Sequence, residues 1–448
     1  MAKARPPLPP GPYLIVGLAR SGEAVALVLR ARGEEVIGCD AGAAEAPNLG
    51  AVVGRLREAG VEVHLDASGA ALAARAGTLI KSPGVPQNAP IVVAARAAGV
   101  PVFGELELAW RLIPNEFIAV TGTNGKTTTT EWIGHIHREA GAPVAVAGNV
   151  GTALSSLVGK LDPSATVVCE ASSFQLEDTE AFAPESGVLL NLAPDHLDRH
   201  GSYEAYVAAK LRLFANQGND DVAIAPEDLE VEDLGGCARR VLFGSGPEAE
   251  VSDRAGQLWW TDRPLLAVDE LSLPGEHNRR NAMAAAAACL TRGLDPEAVA
   301  QGLKSFPGVA HRLELIATIG GVAFVNDSKA TNVASTIVAL RSYRRGVHLI
   351  AGGDGKQQDF TPLVPLVAAR CRAVYLIGAA TPELEHALAG AGVPIHKTGD
   401  LEHATASARA AAVAGDTVLL SPACASYDQY TNFEARGEHF RALVRGDV

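Results

Sequence analysis

Phe117-Ile118-Ala119-Val120 runs directly into Thr121-Gly122-Thr123-Asn124-Gly125-Lys126-Thr127-Thr128, and a helix-patterned segment, Thr127–Ala140, follows. Apolar strand, glycine loop, Lys-Thr and helix is the order in which a chain builds a cradle for phosphate groups. Glycines let backbone N–H groups turn inward around phosphate oxygens, and the helix N-terminus adds partial positive charge. On this reading Gly122, Thr123, Asn124, Gly125, Lys126, Thr127 and Thr128 grip ATP. Lys126 reaches the β- and γ-phosphates, and the Thr127 hydroxyl faces Mg²⁺. The loop departs from the usual GxxxxGK[ST] spacing, which would need glycine where the chain has Val120. A plain glycine turn before a helix is the alternative, and it leaves Gly-Lys-Thr-Thr unexplained.

Outward from this loop, short apolar runs alternate with alanine-rich helical stretches to both ends. Tyr13–Gly17, Glu35–Cys39, Thr78–Lys81, Thr166–Cys169, Gly187–Asn191, Val347–Ala351, Ala373–Ile377 and Thr417–Leu420 read as strands. Glu23–Arg32 and Ala404–Ala414 read as helices. The alternation predicts α/β layers with mostly parallel sheets. At about 150 residues per domain the length suggests three domains. Breaks near Phe103–Glu107 and Phe306–Ala310 divide the chain into residues 1–104, 105–308 and 309–448. The acidic stretch Pro226–Ala267 reads as an irregular decoration of the middle domain.

Composition excludes several classes. Hydrophobic residues at 48% and charged residues at 20% describe a globular chain with ample core. A net charge of -13 would repel nucleic acid and acidic membranes, so neither is expected as a partner. No run is long enough for a transmembrane helix, and the proline-rich start lacks the apolar region of a signal peptide. The six cysteines are scattered, with no CxxC or zinc spacing. Reduced thiols in a cytoplasmic protein are the expectation.

TGTNGKTT resembles the phosphate loop of the Mur ligases and the related folylpolyglutamate synthases, and the resemblance extends through the middle and C-terminal parts of the chain. It implies a Rossmann-like N-terminal domain, a central P-loop ATPase-like domain and a C-terminal Rossmann-like α/β domain. Glu170 ends a strand near the phosphate loop, a place suited to Mg²⁺. Alone it would read as a solvated charge; within Glu170-Ala-Ser-Ser-Phe-Gln175 it resembles the family's metal-holding segment. His196, in Asp195-His196-Leu197-Asp198-Arg199-His200, likewise matches a family metal ligand, though a lone histidine is usually structural. Lys210 lies on the stripe Tyr203, Tyr206, Val207, Lys210, Leu213, Phe214. Burial favours its neutral amine, which can take up carbon dioxide. The segment resembles the family's carbamylated-lysine site. A lysine whose ammonium reaches water is the alternative. Two Mg²⁺ ions are expected, with Thr127, Glu170, His196 and carbamylated Lys210 as ligands.

Further residues are assigned by the same resemblance. Asn281, in the segment opened by Pro274-Gly275-Glu276-His277-Asn278, would meet adenine; Asn278 is either part of that contact or a helix N-cap. Arg312 would approach the γ-phosphate. Asp327-Ser328-Lys329-Ala330-Thr331-Asn332 is similar to the D-glutamate-adding members specifically. There Asp327 would meet the ribose, and Lys329 and Thr331 the reacting groups. Lys356, Ser426, Tyr427 and Phe433 would complete the amino-acid pocket, with Tyr427 standing where some relatives have leucine. The loop Gly17-Leu18-Ala19-Arg20-Ser21-Gly22 is not GxGxxG, which argues against NAD. It resembles the UDP-binding loop, so Arg20, Ser21, Asp40, Ser82 and Asn149 would hold the UDP-substrate.

The resemblance therefore implies a cytoplasmic, monomeric ATP-dependent ligase. It would add D-glutamate to UDP-N-acetylmuramoyl-L-alanine through an acyl phosphate, in peptidoglycan precursor synthesis. The rivals are a folylpolyglutamate synthase, which shares the loop but not DSKATN, and a nucleotide-binding regulator without ligase activity.

Overall fold

The apolar runs read from sequence become strands in three separate sheets. The computed structural model describes residues 3–42, 49–66, 69–149, 151–231, 233–356 and 358–446, and every candidate site residue lies within them. The first sheet holds β1 (Tyr13–Val16), β2 (Val36–Cys39), β3 (Glu62–His64), β4 (Thr78–Lys81) and β5 (Val102–Gly104) in the order β3-β2-β1-β4-β5. All its pairings are parallel. Helices cover both faces, so Tyr13-Leu-Ile-Val16 is continuously apolar: Tyr13 and Ile15 enter one core, Leu14 and Val16 the other. Strand order reverses between β1 and β4, which opens a crevice beyond their C-terminal ends.

The second sheet is nine-stranded. Its strands are β6 (Phe117–Thr121), β7 (Val144–Gly148), β8 (Thr166–Glu170), β9 (Ser186–Leu189), β10 (Val222–Pro226), β11 (Arg239–Gly244), β12 (Val251–Arg254), β13 (Gln257–Trp260) and β14 (Arg263–Ala267). The order is β14-β13-β12-β11-β10-β9-β6-β8-β7, so the strand feeding the phosphate loop lies between β8 and β9. Pro226–Ala267 is therefore not the irregular decoration expected from its acidic composition. It supplies β11 to β14, an extension that ends in antiparallel pairs. Ala255 and Gly256 both have positive φ (52° and 80°) and form the two-residue turn from β12 to β13. That geometry suits hairpins, but Ala-Gly is not among its strong sequence signals.

The third sheet, in the order β15-β16-β20-β17-β18-β19, comprises β15 (Glu314–Ile319), β16 (Val322–Asn326), β17 (Val347–Gly352), β18 (Cys371–Ile377), β19 (Ile395–Gly399) and β20 (Thr417–Leu420). β15 is antiparallel to β16 and the others are parallel. Its two faces carry separate cores, one around Leu349 and Leu376, the other around Ile350 and Tyr375.

The chain forms two compact units, Met1–Pro307 and Gly308–Val448. Within the first unit, polar ties join the first two sheets. Lys81, at the end of β4, pairs with Asp178 at 2.6 Å, both fully buried. Losing either partner would strand a buried charge, a change worth roughly 3–5 kcal/mol. The segment ahead of β1 crosses the second core. The Arg5 guanidinium lies 4.4 Å over Trp110 and donates to Glu185 and to the Asn115 carbonyl. Lys3 pairs with Asp221, Arg111 donates to the Pro7 carbonyl, and Thr78 donates to that of Pro10. Among the described residues no helix is long and apolar enough to cross a membrane.

Candidate active site

Adjacent strands β8, β6 and β9 deliver their C-terminal ends to one place. β6 enters the phosphate loop, which turns at Gly122 (φ 148°) and Gly125 (φ 85°) into the helix Lys126–Glu139. The loop is braced by the segment after β9. The Asn191 carbonyl accepts from Thr123 N–H at 3.0 Å, its side-chain oxygen accepts from Asn124 N–H at 2.9 Å, and its amide donates to the Asn124 carbonyl. Ala193 N–H donates to the Thr123 hydroxyl, which also shares a hydrogen bond with the Tyr206 hydroxyl. Asn191 and Tyr206 were not singled out as functional from the sequence. The asparagine after an apolar strand was a visible signal, but its partner loop lies some seventy residues away.

Two lysines converge on one carbonyl. Lys126 Nζ donates to the carbonyls of Gly122 (3.0 Å) and Thr123 (2.9 Å), and Lys210 Nζ donates to the same Gly122 oxygen at 2.7 Å. Lys210 sits on the helix Tyr203–Leu211, capped by the Ser202 hydroxyl. It is 1% exposed, so its ammonium does not reach water and the snorkelling alternative is excluded. Burial, and then the nearby Lys126 charge, pull its pKa down to about 7. Near neutrality a large share of this side chain is therefore neutral amine.

Glu170 ends β8 opposite Val120 and is 3% exposed. Its carboxylate accepts from the Asn149 amide at 3.0 Å, and its carbonyl accepts from Asn149 N–H at 2.9 Å. This approach needs Gly148: a Cβ there would lie 2.3 Å from the Glu170 carbonyl. His196 has a left-handed backbone (φ 51°) and an exposed ring 4.9 Å from that of Phe174. His200 shares a hydrogen bond with the Ser173 hydroxyl. Among the described residues no group of three or more His, Cys, Asp and Glu gathers as a metal cluster. A site here would draw on the Thr127 hydroxyl and a modified Lys210 as well.

Asn281 lies on the helix Glu276–Thr291, 6% exposed and directly behind the phosphate loop. Asn278 is not the N-cap; Gly275 holds that place, and Asn278 donates to the Pro274 carbonyl from the first turn.

The N-terminal candidates also gather. Asp40 accepts from the N–H groups of Leu18 (2.7 Å) and Gly42 (2.8 Å), and the Ser82 hydroxyl donates to the Gly17 carbonyl at 2.7 Å. The loops after β1, β2 and β4 thus meet at the switch point, with Ser21 at the start of the helix Arg20–Ala31. Arg20 is exposed and donates to the Asn149 carbonyl at 3.3 Å. That contact joins this group to Glu170.

In the second unit, the ends of β16, β20 and β17 bring together the remaining candidates. Asp354 and Ala425 exchange two backbone hydrogen bonds, which aligns Lys356 with Tyr427. The Lys356 ammonium lies 5.3 Å over the Tyr427 ring, and that ring is 65% exposed. Ser426 is buried, and the Phe433 carbonyl accepts from the Ser328 hydroxyl. Asp327 is buried with both carboxylate oxygens engaged, one by the Ser421 hydroxyl (2.8 Å) and one by Leu313 N–H (3.2 Å). Burial pushes its pKa up to about 7 against those two hydrogen bonds and the charges of Arg312 and Lys329. Arg312 itself is exposed. Lys329 N–H donates to the His311 carbonyl, and Thr331 follows in the same turn. Arg436 was missed from sequence: it is 1% exposed and donates to carbonyls of Ser328, Cys424 and Ala425, fixing two of these loops.

Comparison with known proteins adds to this geometry. Residues 120–289 match the Mur ligase middle domain, and residues 311–424 match the Mur ligase, glutamate ligase domain. The UDP-N-acetylmuramoylalanine–D-glutamate ligase of Acidobacterium capsulatum is 43% identical, over 96% of this chain and 95% of that protein. The enzyme of the same name from Koribacter versatilis is 41% identical over 96% of each. The solved UDP-N-acetylmuramate-alanine ligase of Thermotoga maritima is 21% identical with a TM-score of 0.59, and covers 98% of this chain and 100% of its own. That likeness speaks for the fold.

Proposed function

The chain belongs to the Mur ligase family, and from that premise we propose that it forms the amide bond between D-glutamate and UDP-N-acetylmuramoyl-L-alanine at the expense of ATP, in peptidoglycan precursor synthesis. One observation carries the reading. A phosphate-loop lysine and a second, buried lysine meet on the Gly122 carbonyl, beside the strand that ends in Glu170.

The alanyl carboxylate is a poor electrophile, and ATP serves to activate it. A carboxylate oxygen attacks the γ-phosphorus and ADP leaves, giving an acyl phosphate. The glutamate amine attacks the acyl carbon, loses a proton, and inorganic phosphate departs. Gly122 to Thr128 hold the triphosphate, and Lys126 draws charge from its β- and γ-oxygens. Asn281 is assigned to adenine and Arg312 to the γ-phosphate. Asp327, expected at the ribose, acts at least through Leu313, whose N–H it accepts and which neighbours Arg312. Thr127, Glu170, His196 and a carbamylated Lys210 are the proposed holders of two Mg²⁺ ions, which would offset phosphate charge. The oxygen-rich donor set and the neutral amine at Lys210 fit that assignment.

Residues 1–104 take the UDP-substrate through Arg20, Ser21, Asp40 and Ser82, with Asn149 reaching it from the middle domain. Residues 105–308 take ATP. Residues 309–448 take D-glutamate through Lys329, Thr331, Lys356, Ser426, Tyr427 and Phe433. All these groups come from one chain, so the reading needs no second copy, nucleic acid or membrane, and its setting is the cytoplasm. The test is phosphate release with UDP-N-acetylmuramoyl-L-alanine and a panel of amino acids including both glutamate enantiomers. Release with D-glutamate is expected. Release only with a folate acceptor would overturn the proposal, as would nucleotide binding with no substrate-dependent release.

A further inference from the structure

Arg199 belongs to none of the groups assigned above, yet it ties the first two domains together through three backbone carbonyls. Its Nη2 donates to the carbonyls of Pro83 and Val85, both at 2.9 Å, and its Nη1 donates to that of Gly84 at 3.4 Å. The guanidinium also lies 4.5 Å over the Phe174 ring. Ser82 to Val85 form a tight turn, closed by Val85 N–H on the Ser82 carbonyl. Lys81 Nζ donates to the same Val85 carbonyl at 2.8 Å. A planar fork with five N–H donors is suited to satisfying three successive carbonyls from one side chain.

What lies at either end gives the contact its meaning. At one end, Ser82 bonds the Gly17 carbonyl, so the turn supports the loop assigned to the UDP diphosphate. At the other end, Arg199 shares a short segment with Asn191 and Ala193, which brace the phosphate loop, and with His196. Residues 191–199 thus run from the turn at Ser82–Val85 to the braces on Thr123 and Asn124.

We infer that Arg199 is a positioning residue that couples the UDP-sugar site to the ATP site, so that each ligand tightens the binding of the other. This rests on the assignment of the two sites made above. Coupling of this kind is a reciprocal equilibrium property, commonly 5- to 150-fold, roughly, in affinity. The experiment is a binding cycle on the whole chain: UDP-N-acetylmuramoyl-L-alanine titrated with and without saturating magnesium adenylyl-imidodiphosphate. The wild-type protein should show at least about fivefold tighter binding of the UDP-sugar when the nucleotide is present. In Arg199→Met the ratio should fall towards one. Arg199→Lys, which keeps the charge but not the fork, should fall in between.

A ratio of one in the wild-type protein, or an unchanged ratio in Arg199→Met, overturns the inference. Failure of the wild-type protein to bind the UDP-sugar at all overturns the assignment of that site, and the inference with it. A ligand-free measurement separates the two. Hydrogen exchange of the unliganded Arg199→Met protein should be faster in the peptides covering 82–86 and 121–126, with the Trp132 region unchanged. Unaltered exchange in both peptides would also refute the role of Arg199, whatever the substrate proves to be.

Discussion

Replacing Gly125 with alanine tests the phosphate loop and the proposed adenine contact in one step. Gly125 has φ 85°, and a Cβ there would stand 2.3 Å from the Asn281 side-chain oxygen and 3.0 Å from its Cγ. Two costs follow. A left-handed backbone costs a non-glycine residue roughly 1–2 kcal/mol. Moving the buried Asn281 amide off its rotamer adds about 0.5–1.5 kcal/mol, because the helix Glu276–Thr291 fixes its backbone. The sum for Gly125→Ala is about 1.5–3.5 kcal/mol of stability, and the KM for ATP should rise as Asn281 is displaced. The two terms can be separated. In Gly125→Ala/Asn281→Ala the collision is gone while the strain remains, so the double variant should be more stable than the sum of single effects predicts. The expected coupling is about 0.5–1.5 kcal/mol, read from urea unfolding of the two singles, the double and the wild type. Additivity within error would refute the argument, since it would mean that Asn281 is not what the new methyl group meets.

Three further outcomes can be checked directly. Lys210→Ala should lower turnover by about 10²–10³-fold, with partial recovery on adding short-chain carboxylic acids; full activity without them would contradict the carbamate. Lys356→Ala should raise the KM for D-glutamate by roughly 10- to 100-fold with little change in kcat, because on the proposed assignment it removes a charge-assisted contact to a substrate carboxylate. The third concerns pH. The folded state holds the Asp327 proton more tightly than the unfolded chain, with a pKa raised to about 7. Stability contributed by this residue is therefore complete below the ordinary carboxylate range and is lost as pH rises towards 7. Asp327→Asn should remove that slope, so its unfolding free energy relative to wild type should improve between pH 5 and pH 8. A relative loss over the same interval would reverse the sign and refute the assignment.

The sequence was most legible where local patterning and tertiary role coincide. Phe117–Val120, Gly122 and Gly125 announce a strand and a turn on their own, and the structure sets that strand between β8 and β9 of the second sheet. Lys210 stood out because a charge interrupted an apolar stripe, and it is buried. Legibility failed where a role depends on distant partners. Pro226–Ala267 looked irregular because its strands are short, its acids are numerous and its turn is Ala-Gly. Arg199 and Arg436 drew no reading of their own, since nothing nearby in sequence reveals the carbonyls they collect from loops about 115 and 108 residues away. Asn278 failed more narrowly: the helix begins at Glu276, ahead of the start that a capping role for Asn278 requires.

The prolines ahead of β1 act as a mooring line. Lys3 and Arg5 make fast to Asp221 and Glu185, while Pro7 and Pro10 offer carbonyls along the way. Cutting the line at Tyr13 would leave two acids without their cations and bare one face of Trp110, although no assigned catalytic group would be touched. Anyone trimming this chain for expression should therefore expect to lose stability before losing chemistry.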